Sequence, residues 1–149
     1  MENTRLELTP LLLDSLYTEA MLLADEARHC FDRNQATGHL SPEISVAFSC
    51  ESLKVTTRLM HSIAWLLNQK ALRAGEITEE DAYSDAKDLG YAPVSDGPQV
   101  ARFPAEAQKL IAASEELYLR LQRFSGQMRL QSAPVSEPLA MRERLRSSF

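Results

Sequence analysis

Apolar side chains recur in three long stretches of this chain at alternating steps of three and four, the period of one helical face. In the first stretch Leu13, Leu16, Ala20, Leu23, Ala27 and Cys30 share one stripe, which Tyr17, Ala24 and Phe31 widen. Thr9 followed by Pro10 marks its start, because an N-cap hydroxyl satisfies a free amide and proline at the first helical position gives up a donor that has no partner anyway. The stop falls near Asn34 to Gly38, and the spacing predicts a helix over 10–33.

Ser41 and Pro42 repeat the entry signal, and Gly75 is a natural stop after Ala74, so a second helix is expected over 42–74. Val46, Cys50, Leu53, Thr57, Met60, Ala64, Leu67 and Ala71 alternate steps of four and three without a break, and this row is expected to pack along its whole length. Phe48, Val55, Leu59, Ile63 and Leu66 form a second apolar row outside the first. A helix apolar around much of its circumference is buried or shared, so this second row is the candidate homodimer interface, while which of the two rows faces a second copy stays open on the sequence. Phe103, Ala107, Leu110, Ser114, Leu117, Leu121, Phe124 and Met128 repeat the period a third time and predict a helix over 104–129.

Three matching stripes imply a shared core. The expected fold is all-α: an antiparallel three-helix bundle over 1–131 with a long central helix, forming a homodimer. Between the second and third helices Glu76 to Leu89 is acidic, with Thr78 placed to cap one short extra helix; its helicity in the free protein stays open. Gly90 to Arg102 reads as a loop, and 132–149 as a disordered tail whose composition cannot bury enough surface to fold unaided.

Composition narrows the function. In 149 residues, 16 Lys plus Arg stand against 21 Asp plus Glu, a formal charge of -5 that argues against a general nucleic-acid binder. The charge is uneven: -4 over residues 1–40, +2 over 41–75, -6 over 76–101 and +3 over 102–149, a distribution suited to charged protein partners or to a solubilising surface. The first residues carry no secretory pattern, and the longest uncharged stretch, from Leu59 until Lys70 closes it, is far short of the ~20 residues of a membrane span. With only Cys30 and Cys50, no disulfide framework is expected, and the chain reads as cytoplasmic.

Candidate chemistry is thin. A metal site would have to draw on His29, Cys30, His39, Cys50 and His61, but His29 and Cys30 diverge on a helix, and both cysteines sit on stripes assigned to the core. Ser49, Ser52, Ser62 and Ser114 lack a glycine-framed elbow or a placed base. No catalytic residue, cofactor or metal ligand is assigned. Glu51, Lys54, Arg58, His61 and Trp65 share a row on the second helix that reads as a solvated or dimer-rim face, with Arg58 and Trp65 as candidate partner contacts. The alternative is a small helical enzyme or ligand-binding protein whose Arg58, with Arg120 and Arg123, clamps an anion. In the tail Leu139, Met141, Leu145 and Phe149 lie among three Arg and either contact a partner or form a plain terminus.

The run Glu51-Ser52-Leu53-Lys54-Val55-Thr56-Thr57-Arg58-Leu59-Met60, then Ala64-Trp65-Leu66-Leu67, Gln69-Lys70-Ala71 and Gly75-Glu76, resembles the alphaproteobacterial RcdA family, regulators of CtrA degradation. The likeness is strongest over residues 43–82, and elsewhere only the pattern is shared. The resemblance implies a homodimeric three-helix bundle with a C-terminal tail and no catalytic or cofactor residues. It also implies an adaptor that helps deliver cell-cycle regulators to the ClpX and ClpP protease. The implied partners are a second copy, a single-domain response regulator that primes the unfoldase, a cyclic-di-GMP-responsive adaptor and protein cargo, with no nucleic acid and no membrane span. The implied location is the cytoplasm, with recruitment to the cell pole.

Overall fold

The computed structural model describes residues 7–36, 38–132 and 146. Three long helices carry it: α1 (Pro10–Ala36), α2 (Pro42–Arg73) and, after two one-turn helices α3 (Glu79–Ala82) and α4 (Gly97–Val100), α5 (Ala105–Ser132). A single 3₁₀ turn, Asp85–Lys87, lies between α3 and α4. Among the described residues there is no strand.

The boundaries follow from local chemistry. The Leu12 amide donates to Thr9 Oγ1 at 3.1 Å, and the Ile44 amide to Ser41 Oγ at 3.4 Å, so both expected caps are occupied. At the other end of α2 the Glu76 amide reaches Ala71 O at 2.9 Å and the Gly75 amide reaches Leu72 O at 3.1 Å, closing a Schellman motif. That motif needs a left-handed residue, and Gly75 supplies it at φ +76. Thr78 caps α3 through the Asp81 amide at 3.2 Å, although α3 lasts only four residues. Inside the stretch read as loop, Asp96 caps α4 through the Gln99 amide at 3.4 Å.

α1 and α2 form an antiparallel hairpin, tied near its open end by Lys70 Nζ to Asp14 at 2.9 Å. α5 returns antiparallel to α1: Arg33 pairs with Glu106 near one end and Arg120 with Glu19 further along. The core lies between them, with Leu13, Leu16, Ala20, Cys30 and Phe31 from α1 meeting Ala107, Ile111, Leu117 and Leu121 from α5. Phe48 of α2 packs at a tilt against Phe31 at 4.8 Å and edge-on to Phe103 at 5.2 Å, which closes the end of the bundle where α1 turns into α2.

The two apolar rows of α2 are exchanged relative to the sequence reading. Phe48, Val55, Leu59 and Leu66, expected at a dimer interface, are buried within the single chain, and Ile63 is half-buried against the same cluster. They are therefore part of the bundle core and unavailable to a second copy. Val46, Leu53, Met60 and Leu67, expected in the core, are 66%, 69%, 64% and 46% exposed. Cys50, on that same row, is exposed as well, while Cys30 is buried. Side-chain volume explains the exchange. The inner row holds the ring of Phe48, with buried Trp65 on the neighbouring row, and their burial removes the most apolar surface from water, whereas half of the outer row is Cys, Thr or Ala.

Candidate functional site

Glu51, Arg58, Ser62, Trp65 and Gln69 of α2 are all buried. Glu51 and Arg58 belong to the row read as solvated or dimer-rim, and at 2% exposure each they are not surface residues. Burial of a guanidinium is costly unless its donors are met. Here Arg58 donates to Ser114 Oγ of α5 at 3.3 Å, to Pro93 O at 3.0 Å and to Ser95 Oγ at 2.6 Å, with Glu115 3.8 Å away. The segment 88–96 supplies oxygens where an anionic ligand would have to sit. Trp65, read as a partner anchor, is 4% exposed and belongs to the core.

The connection between α3 and α5 is thereby strapped onto the bundle. Arg129 holds Asp85 at 3.5 Å and Asp88 at 3.3 Å, and Ser125 Oγ donates to Asp88 at 3.2 Å. Tyr118 Oη donates to Gly90 O at 2.6 Å. Gly90 lies so close to the His61 ring that a Cβ there would fall 2.7 Å from its atoms, so any larger residue would have to displace that ring. Further on, Glu51 Oε1 accepts from the Asp96 amide at 2.9 Å and from Lys54 Nζ at 2.9 Å. Burial pushes the Glu51 carboxyl up, but the Asp96 amide, the Ser95 hydroxyl and the Lys54 ammonium outweigh it and hold the group below its ordinary value. The strap thus runs antiparallel to α2, meeting His61, then Arg58, then Glu51, and it leaves Tyr91 and Val94 exposed to solvent.

Among the described residues no three His, Cys, Asp or Glu side chains converge on a point where a metal ion could be held. Burial pushes the Cys30 thiol up, away from thiolate character. Arg120 is engaged by Glu19, and Arg123 is exposed on α5. Leu139, Met141, Leu145 and Phe149 lie outside the described residues.

What the fold leaves open is the outer face of α2. Between residues 46 and 71 the charged side chains are Glu51, Lys54, Arg58 and Lys70. Glu51 and Arg58 are buried, Lys54 turns back to Glu51, and Lys70 reaches Asp14 and lies 4.5 Å over the Tyr17 ring of α1. None faces outward with Val46, Leu53, Met60 and Leu67. An uncharged apolar row nearly as long as the bundle is therefore turned to water, the kind of exposed surface that marks a protein-protein contact. Beside it a cleft of about 310 Å³ opens between α1 and α2, lined by Arg28, Asp32, Ser52, Thr56, Met60 and Ile63 among others. No helix among the described residues is long and apolar enough to cross a membrane.

Comparison with known proteins agrees with a bundle of this kind. A solved structure, RcdA from Caulobacter crescentus CB15, matches at 30% sequence identity and a TM-score of 0.63, over 84% of this chain and 93% of that one. No curated protein matches the chain. The model of the family described as a protein of unknown function, DUF1465, matches residues 5–149. With nearly its whole length inside that match and its helices superposing on RcdA, the chain belongs to the DUF1465 family.

Proposed function

We propose that this protein is a non-enzymatic adaptor that helps deliver cell-cycle regulatory proteins to the ClpX/ClpP protease through protein-protein contacts. In this reading it acts in the cytoplasm as a homodimer, recruited to the cell pole. An adaptor raises the local concentration of its cargo at the protease and needs binding surfaces rather than reacting groups. The likeness to RcdA supports the reading at the level of family. The observation that carries it is the outer face of α2, where Val46, Leu53, Met60 and Leu67 stay exposed although four charged residues of the same helix stretch all turn away.

The same proposal includes the priming response regulator and the cyclic-di-GMP-responsive adaptor as partners, with the strap, which leaves Tyr91 and Val94 exposed, as the surface open to them. The alternative of an Arg-lined anion site loses its central residue, because Arg58 already meets three oxygens of its own chain.

Reconstitution tests the reading. The full chain is added to ClpX, ClpP, a priming response regulator and candidate cargo, and cargo loss is followed with time. Faster loss in its presence is the expected result. An unchanged rate, together with no protease component retained on the immobilised chain, overturns the proposal.

A further inference from the structure

The side of α5 that receives the strap is marked by Tyr118, Ser125 and Arg129, which hold Gly90 and Asp88. One position on, about 100° round the helix, stand Leu119, Gly126 and Leu130, all exposed. With exposed Gln122 they make one stripe at steps of three, four and four. Gly126 is its unexplained member. Glycine inside a helix weakens it relative to alanine, yet a Cβ at Gly126 would meet nothing within 4 Å, so no described neighbour requires it. Two large apolar side chains thus flank an open notch, and Tyr91 is exposed next to the Gly90 that Tyr118 holds.

We propose that the chain's own residues 139–149 cover this stripe, folded back antiparallel to α5 as a further helix. Those residues lie outside the described ones; their sequence and their reach single them out. α5 is described as far as Ser132, within a turn of the Arg129 that meets Asp85 and Asp88, so the chain leaves the bundle beside the stripe. Residues 133–138 read Ala-Pro-Val-Ser-Glu-Pro, and their number falls within the roughly 2–8 residues of an ordinary helix–helix connection. Met141, Leu145 and Phe149 then follow at steps of four, one face of a helix, with Glu143 on the opposite side. Turning back over that length sets Met141 on Leu130, Leu145 over Gly126, and Phe149 level with Gln122, its ring directed to Leu119 and Tyr91. A large side chain then fills the notch, and a missing Cβ is what lets two helices approach closely there. Charge agrees with the placement. Residues 76–101, which supply the strap, carry -6, with Glu79, Glu80 and Asp81 exposed ahead of the pair that Arg129 meets, and the returning segment brings Arg142, Arg144 and Arg146. A helix this short is marginal alone, and burial of its stripe is what holds it. The short connection also keeps it beside α5 at high effective concentration, ahead of any separate occupant. The inference goes beyond the adaptor reading and stands without it: the segment is an internal cover, which any partner that binds at Tyr91 has to displace.

Trypsin cuts after arginine, so Arg142, Arg144 and Arg146 report whether the segment is seated. The full chain is compared with its Gly126→Trp variant, whose ring has open space on the bundle but occupies the place of Leu145. The expected result is cleavage at the three arginines about tenfold faster in the variant, with cleavage inside α1, α2 and α5 unchanged, because proteolysis follows the population of the open form. Equal rates at the three arginines overturn the cover. Should Gly126→Trp loosen the bundle, disulfide trapping decides. In a Cys50→Ser background, Gly126→Cys with Leu145→Cys is compared with Gly126→Cys with Glu143→Cys, using diamide, which takes up the two hydrogens as two thiols join. A link within one chain between positions 126 and 145, formed at least about tenfold faster than one between 126 and 143, is expected. Equal rates mean an unseated segment and overturn the inference. A 126–145 link that joins two copies means that the stripe takes the segment of another chain, and overturns it as well.

Discussion

Glu51 and Arg58 show how far a single side chain's role depends on what crosses over it. On a helical wheel both belong to a charged row, and charged rows are normally solvated. Here a strap of backbone carbonyls and serines covers them and makes their burial tolerable. The Glu51 carboxyl titrates below its ordinary value because its charged form is the one the Asp96 amide and Lys54 bind. A carboxyl lowered in this way stabilises the fold fully above its unfolded value of 4.5, and that contribution is lost as the pH falls through the lower folded value. Protection of the Asp96 amide, taken against the intrinsic exchange rate at each pH, should therefore fall in acid, below the unfolded value, before the helices themselves open. Glu51→Gln, which keeps an acceptor but removes the charge, should lower that protection at neutral pH and remove its acid dependence. Protection of Asp96 that is indifferent both to acid and to the substitution would contradict this assignment.

Among the elements, α2 carries most of the consequence. Its bounds were legible: Ser41, Pro42 and Gly75 act through backbone chemistry that needs no neighbours, and the observed helix ends within a residue of the expected 42–74. Its orientation was not legible from period alone, because two apolar rows of similar regularity run along nearly opposite sides. A substitution pair separates them. Leu59→Asp puts an unpaired charge among buried side chains and should cost about 3 kcal/mol or more, lowering the melting temperature sharply. Met60→Asp, one residue on and 64% exposed, should leave helicity and monomer stability within about 0.5 kcal/mol of the parent. Chemical denaturation followed by circular dichroism, at concentrations where the chain is monomeric, decides between them; equal losses would mean that the rows are not oriented as described. The short helices lay beyond what spacing alone can show. α4 exists because Asp96 caps it and Val100 packs against the core, inside a stretch whose glycines and prolines read as loop.

At the scale of the whole molecule, the bundle buries one face of its central helix and leaves the opposite face apolar. In the proposed homodimer, association through that face would couple stability to concentration, because binding to the folded form alone draws the unfolding equilibrium toward it. The melting temperature of the parent chain should rise with protein concentration, and Met60→Asp should abolish the rise while sedimenting at half the mass. A concentration-independent transition in the parent would leave the α2 face without a partner copy. The acidic connection, whose charge suggested recognition of partners in the sequence, is met in part by α5 of its own chain: Arg129 pairs with Asp85 and Asp88.

By itself the sequence determined the helices, their caps and the bundle, because helical period and capping are local: they depend on residues within a few positions of one another. Family likeness was legible for the same reason, in contiguous runs along α2. Which face of α2 turns inward, whether Arg58 and Trp65 meet solvent, and how the acidic connection is pinned were decided only in three dimensions. Each depends on residues far apart in the chain, such as Arg58 with Pro93 or Tyr118 with Gly90, and on the greater gain from burying large rings than from burying the more regular row. The periodicity of α2 is the same seen from either side; the volume of Phe48 and Trp65 and the oxygens of the strap set which side faces in.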